Sequence, residues 1–320
     1  MKYRAIIVTM FIFVASYICA YPLVYDARYT PQGDSIVCEY KASNIPSGAT
    51  IQLDIAQSDG TLLSIGRKAV EGDIHDLVRD SLVVSAIAFS SDAAFLKVIV
   101  DGIEYGEMVH IPAGRYSIRV ADELIEQFSI KDFFLSKREI SNEQYRQFIL
   151  ADGYDTESVW IIAKGLMKDV RIGWHYQGMK HLSKPIEWNF GNEPWFAGTT
   201  FDKGYESVGG VTWFEANAYC NWIGAFLPTY AQLVSCFPGD SFASSRQREK
   251  TSLVMGVADC VAEWTLVGID PQSISCGGCN EMKLLENNQM NLSSFPLSSY
   301  RCPLFRNEYL GFRIAVPYSN

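Results

Sequence analysis

The chain has 320 residues, 48% of them hydrophobic and 20% charged, which suits about two folded domains and excludes a disordered, collagen-like or low-complexity protein. With 27 basic side chains against 36 acidic ones the formal charge is −9, so the broad basic surface that nucleic acid needs is missing. No nucleic-acid partner is expected.

At the N-terminus Lys2 and Arg4 precede an unbroken apolar run from Ala5 to Val14, and small or semi-polar residues follow as far as Ala20. That order is the one of a secretory signal peptide, read as residues 1–20 with cleavage after Ala20. The run is short for a membrane span, so a transmembrane segment is not expected after cleavage; an uncleaved anchor is the alternative. Cys19 raises the thought of a lipoprotein, but Ser16, Tyr17 and Ile18 suit that processing poorly. The expected location is secreted or extracytoplasmic, in the periplasm or cell envelope.

Residues 21–104 read as short strands with turn residues between them. Ser35 to Tyr40 follows the turn Pro31-Gln32-Gly33-Asp34, and Thr50 to Ile55 alternates with period two after Pro46-Ser47-Gly48. Ser81 to Ser90 and Phe95 to Val100 add apolar, β-branched runs. Strands at this spacing predict a small immunoglobulin-like β-sandwich, with Cys38 as a buried apolar side chain and no cluster able to carry chemistry.

From Glu107 onward the texture changes, and residues 105–320 read as a second domain rich in glycine, aromatic rings and irregular connections. Ser141-Asn142-Glu143-Gln144 opens a helix in the cap-then-acid order and continues through Ile149. A second helix runs from Trp213 to Ile223, with Phe214, Ala218 and Trp222 four apart, and stops at Gly224. Trp160, Trp174, Trp188 and Trp195 lie in an irregular stretch. Such rings either form the core of a loop-rich domain or line a shallow groove; on the second reading Trp174, Trp188 and Trp195 are the binding candidates. His175 and His181 read as exposed histidines. Phosphate loops, nucleophile elbows and HExxH patterns are absent from the sequence.

Eight cysteines, with Cys19 in the leader, leave Cys38, Cys220, Cys236, Cys260, Cys276, Cys279 and Cys302. In an oxidising compartment these are disulfide candidates first. Cys276-Gly277-Gly278-Cys279 allows a redox pair, half a zinc site or two cysteines bonded elsewhere, and no second such pair completes a zinc site.

The second half resembles the formylglycine-generating enzyme family, also called the sulfatase-modifying factor family. The residues that carry the likeness occur in family order. They are Met108 to Tyr116 around Ile111-Pro112-Ala113-Gly114, Phe133 to Tyr145, Gly210 to Gly224, Leu227-Pro228-Thr229, Glu263-Trp264, Gly277-Gly278 and Gly311-Phe312-Arg313. The resemblance implies a modified C-type lectin fold, so the whole chain is expected to be α+β, with a β-sandwich followed by that fold.

The resemblance also implies an oxidase with two cysteines ahead of Tyr300-Arg301-Cys302, and counting back from that segment gives Leu292 and Leu297. Counting forward from Gly277-Gly278 gives Met282. None is a thiol, and the copper-thiolate chemistry of the family needs anionic sulfur, so copper is not expected. The family's calcium segment Gly-Asn-Val-Trp-Glu-Trp stands here as Asp259-Cys260-Val261-Ala262-Glu263-Trp264, which leaves Asp259 and Glu263 as a weakened calcium site. The family's disulfides imply a bond between Cys236 and Cys302. They leave Cys220 without its usual mate, whose place is taken by Ile314.

The reading is a secreted protein of this family without formylglycine-generating activity, serving as a binding or envelope-associated module for a peptide, glycan or protein. The alternative is an extracytoplasmic enzyme with other cysteine- or metal-dependent chemistry using Cys276, Cys279 or Glu263.

Overall fold

The computed structural model describes residues 21–57, 61–85, 93–119, 125–163, 169–180, 182–185, 204–236, 254, 262–266, 277–280, 298–301, 306 and 310–318. The leader expected at 1–20 lies outside the described residues.

The N-terminal strands are β1 (Leu23–Gln32), β2 (Ser35–Ser43), β3 (Thr50–Ala56), β4 (Leu62–Ala69), β5 (Val78–Ser85), β6 (Ala94–Val100) and β7 (Ile103–Gly106). Period-two alternation sets their faces: in β2 Ile36, Cys38, Tyr40 and Ala42 point inward, while the residues between them are more exposed. β1, β2 and β5 form one antiparallel set and β4-β3-β6-β7 a second sheet. Between them lies a core of Ile36, Cys38, Ile51, Leu53, Leu82, Val84, Leu96 and Val98, among others. Tight turns close two of the hairpins. Gly33 takes φ +59° between β1 and β2, and Asp101 and Gly102 both take positive φ between β6 and β7, which suits the right-handed twist of a two-residue hairpin. Sequence reading reaches β2, β3, part of β5 and β6; residues 86–90 of the expected Ser81–Ser90 run lie outside the described residues.

The later strands are β8 (Met108–Ile111), β9 (Gly114–Arg119), β10 (Ile125–Ile130), β11 (Phe133–Ser136), β12 (Ala262–Thr265), β13 (Gly277–Asn280), β14 (Ser298–Arg301), β15 (Leu310–Phe312) and β16 (Ala315–Pro317). The helices are α1 (Asn142–Leu150), α2 (Ile172–Lys180), α3 (Trp213–Ile223) and α4 (Tyr230–Val234). Three of the helices start on a capping box: Ser141 with Gln144, Thr212 with Glu215, and Thr229 with Gln232. α3 ends at Gly224 in the left-handed conformation, φ +79°. Its bounds are those read from the sequence. The histidine-containing stretch read as irregular contains α2, on which His175 is exposed, 3.5 Å from Asp169.

The boundary expected at 104/105 falls between β7 and β8, and one six-stranded sheet, β16-β11-β8-β1-β2-β5, runs across it. β1 bends to make this junction. Its register slips between Tyr25 and Arg28, and Asp26 takes φ +53°. The Ala27 N–H freed by the slip donates to Glu107 (3.3 Å), whose two oxygens also accept the Lys137 ammonium at 3.0 and 2.9 Å. On its other side Tyr21, Leu23 and Tyr25 enter the large core with Phe134, Tyr145, Trp213 and Phe312. The first strand is therefore part of both halves.

Candidate functional site

Two buried carboxylates organise the second half. Glu215 is the N3 residue of α3, so its place follows from the capping box: one oxygen accepts the Thr212 N–H at 2.8 Å. The same oxygen accepts Arg306 Nε at 3.0 Å, and the other accepts Arg306 Nη2 and the Tyr154 hydroxyl, the latter at 2.6 Å. Tyr154 lies 3.1 Å from the Tyr145 hydroxyl. Burial, reinforced by the Glu215 charge, drives both phenols far above their ordinary range, so they stay neutral.

The second carboxylate, Glu263 on β12, meets Arg313. Arg313 Nε lies 3.0 and 2.8 Å from the two oxygens and Nη2 lies 2.7 Å from one of them, while Nη1 donates to the Ser136 carbonyl at 3.1 Å. Both side chains are essentially without solvent contact. Burial alone would lower the guanidinium pKa, but Glu263 outweighs it and the net shift is upward. β12 is thereby tied to the end of β11 beneath the closing Gly311-Phe312-Arg313.

The sequence reading makes Glu263 a calcium ligand together with Asp259. In the structure the Glu263 charge is met by a guanidinium fork, a competing partner for the same oxygens. Asp259 lies outside the described residues, and among those described no group of three His, Cys, Asp or Glu side chains is placed to hold a metal.

The cysteine expectations also change. Cys236 is a free, fully buried thiol packed with Leu233, Val254 and Ala315, and it donates to the Gln232 carbonyl at 3.5 Å. The expected bridge to Cys302 is not present at Cys236 in this structure. Cys302 itself lies outside the described residues. Burial first, with Glu263 adding to it, pushes the Cys236 thiol up to about 12; burial and Glu107 do the same for Cys38, also to about 12. Cys220 is buried and raised well above its usual value. Alkylation of native protein at pH 8 followed by peptide mapping should leave these three unmodified, and denaturation without reductant should expose all of them. Cys236 still unmodified after denaturation would restore the disulfide.

Of the other sequence candidates, Trp174 is half-buried and packs against the large core, whereas Trp188, Trp195 and Cys276 lie outside the described residues. Cys279 is placed by its backbone on β13, paired with Trp264 and Ser299. Trp160, Trp213 and Trp264 are core rings, each with its indole N–H on a backbone carbonyl, at 2.9, 3.1 and 2.9 Å. A cavity of about 90 Å³ lies between the halves, walled by Phe95, Lys97 and Glu104 on one side and by Arg138, Glu139 and Gln144 on the other. Lys97 there is held by Asp54 and Glu104 at 2.8 and 2.6 Å, and Arg138 lies 4.1 Å over the Phe95 ring. Sequence reading missed Arg306 and the pairing of Glu263 with Arg313; the signal for Glu215 was its place three residues after Thr212.

The family described as Sulfatase-modifying factor enzyme 1-like domain matches residues 100–248. The match takes in just under half of the chain. Among curated relatives, hercynine oxygenase of Mycolicibacterium smegmatis is 30% identical over 155 residues, 45% of this chain and 34% of that protein. Inactive C-alpha-formylglycine-generating enzyme 2 of Mus musculus is 25% identical over 135 residues, 38% of this chain and 44% of its own. Formylglycine-generating enzyme of Bos taurus is 25% identical over 150 residues, 39% and 38%. The chain thus spans less than half the length of these relatives. The sulfatase-modifying factor domain implies a C-type lectin-like fold, and the described part of the chain is sheet-rich with few helices. No helix among the described residues is long and apolar enough to cross a membrane.

Proposed function

We propose that this is a secreted or extracytoplasmic sulfatase-modifying factor protein that does not form formylglycine and serves as a binding module for a peptide, glycan or protein. In this reading residues 21–104 form an immunoglobulin-like sandwich that presents the family domain, and the partner meets the aromatic-rich stretch around Trp174, Trp188 and Trp195. The observation that carries the proposal is the identity of the side chains at the reactive positions: Leu292 and Leu297 on one alignment, Met282 on the other, with no thiol on either. Two features support it. The Glu263 carboxylate is taken up by Arg313, and a relative whose name calls it inactive is as similar to this chain as the one named formylglycine-generating enzyme.

A second reading, an enzyme of different chemistry using Cys276 and Cys279, is favoured by the likeness to a protein named as an oxygenase. Metal content separates the two. Protein purified from an oxidising compartment and measured by mass spectrometry should hold far less than one equivalent of copper, iron or calcium. Stoichiometric copper or iron that is lost in a Cys276→Ser, Cys279→Ser variant would support the enzyme instead.

A further inference from the structure

The outer face of β1, β2 and β5 carries an open groove of about 530 Å³ that the proposed binding function does not use. Its charges are set by strand register. Arg28 stands opposite Glu39, which stands opposite Ser81, while Lys41 stands directly opposite Arg79. Like charges facing each other across a ladder destabilise it, so Lys41 and Arg79 break a local rule.

Neighbours relieve only part of this. Lys41 turns to Asp26 at 2.6 Å and lies 5.5 Å over the Tyr25 ring, and Asp80 at the rim is taken by Lys68 at 2.5 Å. Arg28 and Arg79, both exposed, have no side-chain hydrogen bond or ion pair among the described residues. The Glu39 carboxylate forms no ion pair with Arg28 despite facing it. Two guanidinium forks thus share a groove in a chain of net charge −9, and a planar fork is suited to two-point contact with an oxyanion.

We propose that this groove binds an oxyanion group carried on a larger ligand, with Arg79 as its main contact, Arg28 as its second, and Glu39 as a charge that weakens it. The groove is larger than any single inorganic anion, which leaves room for the body that carries the group. The proposal is independent of the function proposed above.

The test uses the full chain and measures thermal midpoint against sulfate, phosphate and citrate, each compared with chloride at equal ionic strength. Wild-type protein should gain stability with at least one of them, saturating in the millimolar range. Arg79→Thr should keep or raise the midpoint without added anion, because the like-charge opposition is gone, and should lose the anion-specific gain. Arg28→Thr should weaken that gain several-fold, and Glu39→Gln should strengthen it. A response to sulfate or phosphate alone assigns a tetrahedral group; a response to citrate alone assigns a carboxylate. Equal anion shifts in wild type, Arg79→Thr and Arg28→Thr would overturn the proposal, since salt then acts on the whole surface and not on this groove.

Discussion

Replacing Arg313 with Met should cost about 3 to 5 kcal/mol, because it strands the Glu263 charge in a site without water. The Ser136 carbonyl loses its donor in the same step. For a chain of this size each kcal/mol moves the melting midpoint by about 2 to 4 °C, so a fall on the order of 10 °C is expected. The double variant Glu263→Leu, Arg313→Met should recover much of it, since a buried pair replaced on both sides by apolar groups is often near neutral. Thermal denaturation of the three proteins checks this. A single variant as stable as wild type would mean that Glu263 is neutralised otherwise, and the cation-site reading would return.

The second large effect is expected at Glu215. Glu215→Ala removes the acceptor of the Thr212 N–H, the Tyr154 hydroxyl and the Arg306 guanidinium at once, leaving a mostly buried cation without its counter-charge. A loss of about 3 to 5 kcal/mol follows for that cation. Tyr154→Phe deletes one donor and keeps the charge pair, so it should cost about 1 to 3 kcal/mol. Chemical denaturation should rank the variants in that order. The reverse order would place the weight of the network on the phenols and not on the ion pair.

The parts of this structure legible in sequence are those whose cause is local. The α3 helix is written in Thr212, Glu215 and Gly224, and β3 in the alternation of apolar and polar residues from Thr50 to Ile55. β1 was harder to read because it lies in two environments. Tyr21, Leu23 and Tyr25 serve the large core and Val24 the sandwich core, so no single alternating face runs along it. The fate of Glu263 was hidden for another reason. A carboxylate before a tryptophan reads alike as ligand or ion pair until Arg313, 50 residues on, is brought beside it. Cys236 is similar: a cysteine between Ser235 and Phe237 gives no sign that Leu233, Val254 and Ala315 will enclose it.

The proposed lack of formylglycine formation follows from the absence of reactive thiols at the positions where the resemblance places them, and turnover tests it most directly. Copper-loaded protein incubated with a Cys-x-Pro-x-Arg peptide and oxygen, read by mass spectrometry for the aldehyde product, should convert it no faster than copper alone. Conversion clearly above that control, and lost when Cys276 and Cys279 are changed to Ser, would contradict the account.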